Sequence, residues 1–200
     1  MMFSKYLSRY LAHYLVKNKF IGEEEYSIYQ YCIDYIIEMG IFFLILESIS
    51  ILLGSPLYGI LFFSIITPLR SICGGVHASS KLACTLLSYF SFFFTYFLLM
   101  YLDRMPVIYW VILFVFDILF LFLAPTIVHN NRSFHIKQKR RHKQFRYVLN
   151  TILLLVFIIS VLMNQTFLYH IVTLCVSIVV ISMISAILIS SFRGGYSYDF

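Results

Sequence analysis

Long apolar runs separated by short polar breaks organise this chain. A helix needs about 20 apolar residues to cross about 30 Å of hydrocarbon, and on that rule six spans are predicted. They cover residues 36–53, 58–68, 82–102, 107–123, 147–163 and 167–190. The second is short and runs into Pro68 and Arg70, so a broken or partly re-entrant helix is expected there, buried by protein or reached by water. Gly54-Ser55-Pro56, Asp103 to Pro106, Pro125 onward and Asn164-Gln165-Thr166 supply turn chemistry between the runs. Ahead of the first span, Met2, Phe3, Tyr6, Leu7, Tyr10, Leu11, Tyr14 and Leu15 recur at three- and four-residue steps among Lys5, Arg9 and Lys17. That pattern predicts an amphipathic helix, lying on the membrane surface or docked on the bundle. The expected fold is an all-α integral membrane protein of about six transmembrane helices preceded by this helix. It forms one membrane domain over 1–200, with an N-terminal segment 1–35, a bundle 36–190 and a basic loop 129–146.

Composition supports the same class: 61% of residues are hydrophobic and 12% charged, whereas soluble domains are about half apolar and about a quarter charged. No secretory signal is expected, because charges interrupt the first 35 residues and leave no continuous apolar core for one. Cys32, Cys73, Cys84 and Cys175 are scattered without a C-x-x-C spacing or clustered histidines, so neither a disulfide framework nor a metal site is expected.

Basic residues set the orientation. Lys5, Arg9, Lys17 and Lys19 precede the first span, Arg70 and Lys81 lie between the second and third, and Arg132 to Arg146 lie between the fourth and fifth. With six spans these fall on one side together with Arg193, and only Arg104 falls on the other. The positive-inside rule makes that side cytoplasmic. The run Lys137, Lys139, Arg140, Arg141 and Lys143 would attract anionic lipid at about 1 kcal/mol per charge, or hold an acidic peptide tail. Nucleic acid is not an expected partner for so short a run in this setting.

Candidate chemistry sits in the polar break from Arg70 to Cys84, where His77 supplies an imidazole and Cys84 a thiol. A thiol beside a base is the minimum for a cysteine nucleophile. In one uninterrupted helix their seven-residue offset would separate them by about 10.5 Å along the axis. They meet only if the chain bends, and Gly74 and Gly75 give the backbone that freedom. Cys73 is a rival thiol whose four-residue offset suits a helix, although Gly74-Gly75 argues against one. A helix N-terminus or an imidazolium beside Cys84 would raise its thiolate fraction. Within the spans, Glu38, Glu47 and Asp117 are costly carboxylates and so candidates for function or for bonds across helices; His170 is expected at the outer interface. On these residues alone, a peptidase, a six-span transporter using Glu47 and Asp117, and a non-enzymatic membrane scaffold all remain open.

Arg70, the run Gly74-Gly75-Val76-His77-Ala78 and Cys84 seven residues after the histidine resemble the signature of the accessory gene regulator B (AgrB) family, membrane peptidases of Gram-positive quorum sensing. Length, span pattern and basic N-terminus are similar, as is Ala124-Pro125 followed by Asn130. Arg132 departs from the proline that often follows there, which bears on substrate subgroup more than on fold. The resemblance implies that His77 is the catalytic base and Cys84 the nucleophile, with Arg70, Gly74 and Gly75 supporting the site. It implies no cofactor. The implied partners are an AgrD-type precursor peptide with an amphipathic leader, an internal cysteine and an acidic tail, membrane lipid, and a second copy of the chain in a homodimer.

The orientation is testable by single-cysteine labelling of intact cells. A cysteine placed at Asn164 should react with an impermeant maleimide and one placed at Gln138 should be shielded; the reverse pattern would overturn the topology.

Overall fold

The computed structural model describes residues 2–74, 81–102, 104–124, 126–129, 136–193 and 196–199. They divide into two compact units, Met1–Ile60 and Leu61–Phe200. Five helical segments are long and apolar enough to cross a membrane: Glu23–Leu52, Pro56–Cys73, Ala83–Leu102, Lys143–Leu162 and Thr166–Ile189. A sixth apolar helix, Val107–Leu123, has 17 residues, which sits at the lower end of the spanning range. The chain is an all-α, multi-pass membrane protein.

In the first unit, α1 (Met2–Lys17) and α2 (Tyr26–Leu52) pack together as a hairpin. Lys19 closes α1 in the left-handed region at φ 57°, and the Phe20 N–H donates to the Leu15 carbonyl at 3.0 Å. That six-to-one bond satisfies a carbonyl the helix end would otherwise orphan. The buried face of α1 is Ser4, Ser8 and Ala12, while Tyr6, Tyr10 and Tyr14 are exposed. Periodicity therefore located the helix, but its docked face is the small-residue stripe, because small side chains let two backbones approach closely. Helix α2 starts at Tyr26, so residues 26–35 continue into the first span instead of belonging to a separate N-terminal segment. No glycine or proline interrupts the chain between Tyr26 and Ile36.

Gly54, at φ 74°, ends α2, with the Ser55 N–H donating to the Ser50 carbonyl at 2.9 Å. Helix α3 (Pro56–Cys73) then turns back against α2 through Gly59. A methyl group at Gly59 would lie 2.6 Å from both Glu47 Oε2 and Ser50 Oγ, and 3.0 Å from Ser50 Cβ. Glu47, a candidate for function in the sequence, thus lines a close helix contact.

In the second unit, the remainder of α3, α4 (Lys81–Leu102), α5 (Val107–Leu123) and α6 (Ile136–Leu162) accompany α7 (Thr166–Arg193). Helix α7 packs against α4, α5 and α6 and is buried on every side from Tyr169 to Val176. Phe62 of α3 meets Phe92 of α4 edge to face at 5.1 Å. Phe114 of α5 stacks on Phe157 of α6 at 3.9 Å. Ser177 of α7 donates a hydrogen bond to Asp117 of α5, so this carboxylate joins two helices. His170 is fully buried, its ring 4.1 Å from that of Trp110. A lone histidine near a span end gives no sign of which aromatic covers it.

Two further boundaries differ from expectation. Helix α3 continues through Pro68, because proline removes one backbone donor and neighbouring groups in a membrane helix can compensate; the short member of the set is α5. Helix α6 begins at Ile136, so the basic segment expected as a loop to residue 146 is helical from there. Its lysines, arginines and glutamines are good helix formers. After α5, Thr126–His129 (β1) pairs antiparallel with Tyr196–Asp199 (β2), Thr126 opposite Asp199. This short pair was not legible as a strand pattern.

Replacing Gly59 by alanine should lower stability by about 1–3 kcal/mol, read as an earlier unfolding midpoint in detergent. Ser50→Gly should recover part of that loss, and additive effects of the two changes would contradict the contact.

Candidate active site

The end of α3 and the start of α4 link Arg70 to the turn that carries Cys84. Gly74 follows α3 at φ 77°, and its N–H donates to the Arg70 carbonyl at 3.2 Å. Only glycine takes this left-handed position without a Cβ penalty, so the first glycine of the pair has a defined task in ending the helix. Arg70, in the last turn of α3, extends Nη1 to Ser88 Oγ on α4 at 3.3 Å. Ser88 Oγ in turn donates to the Cys84 carbonyl at 3.0 Å. The three residues tie the guanidinium to the helical turn that carries the thiol.

Cys84 is the fourth residue of α4, where the unpaired backbone N–H groups of a helix start favour a negative charge. Its side chain is partly exposed, whereas Cys73 and Cys175 are fully buried. Accessibility therefore separates the two rival thiols, although spacing did not. His77 and Gly75 lie outside the described residues.

Arg146 was expected among the solvated charges of the basic segment, yet it is 4% exposed. Its Nη1 donates to the carbonyl of Ala124, the C-terminal cap of α5, at 2.7 Å. A cation is well placed at a helix C-terminus. The guanidinium is also close enough to Cys73 for its charge to act on that thiol. One turn farther along α6, Asn150 is fully buried. Arg146, Asn150, Leu153, Phe157 and Ser160 are the buried stripe of α6, at alternating four- and three-residue steps. Continuing the apolar phase of Leu153 and Phe157 back toward the N-terminus would have marked both polar residues as inward-facing. Ser88 was missed as well, and a serine in an apolar helix carries no signal in one sequence.

Of the basic residues considered for an acidic tail, Arg141 and Lys143 are exposed, and Lys137, Lys139 and Arg140 belong to the first turns of α6. Among the described residues no group of three His, Cys, Asp or Glu side chains is arranged to hold a metal ion.

The exposure difference is testable by thiol labelling. In the folded protein, N-ethylmaleimide should modify Cys84 faster than Cys73 or Cys175, followed by mass spectrometry; preferential labelling of Cys73 would reverse the assignment of the accessible thiol.

A family model described as Accessory gene regulator B matches residues 8–196. Neither a curated relative nor a solved structure matches the chain.

Proposed function

Because the chain belongs to the accessory gene regulator B family, we propose that it is a membrane cysteine endopeptidase that removes the C-terminal tail of a signal-peptide precursor and promotes ring closure of the product. Membership in the family connects the chain to peptide processing in quorum sensing, and the helices make it a multi-pass membrane protein. The observation that best supports the finer reading is the partly exposed Cys84 in the first turns of α4, fastened through Ser88 to Arg70.

In this mechanism His77 takes the proton from Cys84, and the thiolate attacks the peptide carbonyl at the junction with the tail. The C–N bond breaks as His77 returns the proton to the departing amine, leaving a thioester on Cys84. The precursor's own cysteine then attacks that thioester. A new sulfur–carbon bond closes a thiolactone, and the attacking thiol's proton passes to the Cys84 thiolate that leaves. Exchange between two thioesters is nearly balanced, while the first step trades an amide for a less stable thioester, so loss of the tail or export of the ring must draw the reaction forward. Exclusion of water protects the acyl-enzyme from hydrolysis. Arg70 and Gly74 support the site by holding the end of α3 and the turn bearing Cys84, with Gly75 beside them in sequence.

The catalytic residues and both termini face the cytoplasm in this reading, as the basic residues indicate. Arg141 and Lys143, with Lys137, Lys139 and Arg140, receive the acidic tail or anionic lipid. The partners are the AgrD-like precursor, membrane lipid and a second copy of the chain.

Co-expression with a candidate precursor tests the reading. Cys84→Ala and His77→Ala should abolish tail removal and Cys73→Ala should retain it, scored by gel shift of the precursor. Wild type should accumulate a hydroxylamine-sensitive adduct on Cys84, and cleavage by the Cys84→Ala protein would sink the nucleophile assignment.

A further inference from the structure

Asn150 poses a physical problem. Its side chain is fully buried, and both Oδ1 and Nδ2 lack a hydrogen-bond partner among the described residues. An unsatisfied buried polar group costs about 1–3 kcal/mol, and a leucine of similar size would remove that cost. The stripe it belongs to continues as Leu153 and Phe157, so an apolar residue would suit the local packing. A carboxamide offers a donor and an acceptor side by side. That pair complements one peptide group, whose C=O and N–H provide the reverse arrangement.

Its location gives the ligand's chemistry. Asn150 lies one helical turn, about 6 Å along the axis, from Arg146. Arg146 is bonded to the backbone carbonyl of Ala124, and its charge acts on Cys73 at the end of α3, where Arg70 is hydrogen-bonded to Ser88 of the α4 turn that carries Cys84. A guanidinium already bound to a peptide carbonyl and an amide with neither end hydrogen-bonded occupy successive turns of one buried face. They match successive acceptors and donors along an extended peptide.

We propose that Arg146 and Asn150 form a recognition subsite for the backbone of the precursor beside its cleavage point, closed in the free protein by the Arg146–Ala124 hydrogen bond. The entering segment takes the place of the Ala124 carbonyl on Arg146 and pairs one peptide group with Asn150. Selectivity follows, because a side chain in the peptide that prevents this extended pairing leaves Asn150 unsatisfied. The inference rests on the endopeptidase reading for the identity of the peptide, but it concerns binding and not the chemical step.

The test uses the full chain in lipid nanodiscs and a synthetic precursor-type peptide. The peptide carries an amphipathic leader, an internal cysteine, an acidic tail and a photo-crosslinker next to the tail junction. Asn150→Leu should unfold at the same or a higher temperature, yet raise KM about tenfold, as expected for the loss of roughly one net hydrogen bond, with kcat nearly unchanged. In a Cys84→Ala background the same substitution should reduce crosslinking in proportion. Asn150→Ala should show the same KM effect if leucine is not accommodated. Wild-type KM and crosslinking in the folded Asn150 variants would overturn the subsite and leave the amide to an internal water. If wild type captures the peptide in an Asn150-dependent way but does not cleave it, the endopeptidase reading fails and the subsite stands. Absence of capture by wild type overturns both.

Discussion

Hydrocarbon offers no hydrogen bonds, and that constraint decides which way the helices of the second unit face. Backbone groups are satisfied within each helix, so the choice falls on the side chains. Asp117 turns from α5 toward Ser177 of α7, and Arg146 turns from α6 to the cap of α5. Where a polar side chain has nothing to bond to outside, the helix rotates it inward. The apolar residues on the opposite faces, such as Leu119 and Leu123 of α5, remain exposed. Because lipid tails are as apolar as leucine, burial of leucine is a weak guide to helix packing here. Polar side chains and close aromatic contacts carry more of the specificity.

The same constraint concentrates chemistry at one end of that unit. Arg70, Ser88 and the Cys84 carbonyl are linked in sequence across α3 and α4, while Arg146 satisfies the carbonyl left open at the end of α5. Each contact completes a helix end or a turn. Together they tie the end of α3 to the turn of α4 that bears Cys84 and the end of α5 to α6. One turn farther along α6, the Asn150 amide is buried as well.

Much of the fold is legible in the order of residues, because a span has to be long and apolar and its ends have to stop. The fifth helix runs from Val107 to Leu123 as its apolar run predicts. The positive-φ positions Lys19, Gly54, Gly74 and Asn164 lie in or beside polar breaks. Pro68 misled, since a proline seen alone signals a break, whereas a membrane helix can continue past a single missing donor. The basic stretch after Asn130 misled in the other direction: charge density suggested a loop, but helix propensity continues α6 back to Ile136. The candidate site was legible as a motif, with Arg70, Gly74 and Cys84 all identifiable by type and spacing. Ser88 was silent, and Arg146 looked like one more surface charge.

By itself, the sequence determined the membrane setting, the order of the helices, the family and a short list of candidate groups. Those properties follow from local composition, backbone chemistry and fixed spacing, all of which act along the chain. Tertiary structure alone decided that α1 docks by Ser4, Ser8 and Ala12, that Cys73 is buried while Cys84 remains accessible, and that Arg146 and Asn150 face inward. These outcomes depend on which helix lies beside which, and the sequence encodes that choice only through contacts between residues far apart in the chain.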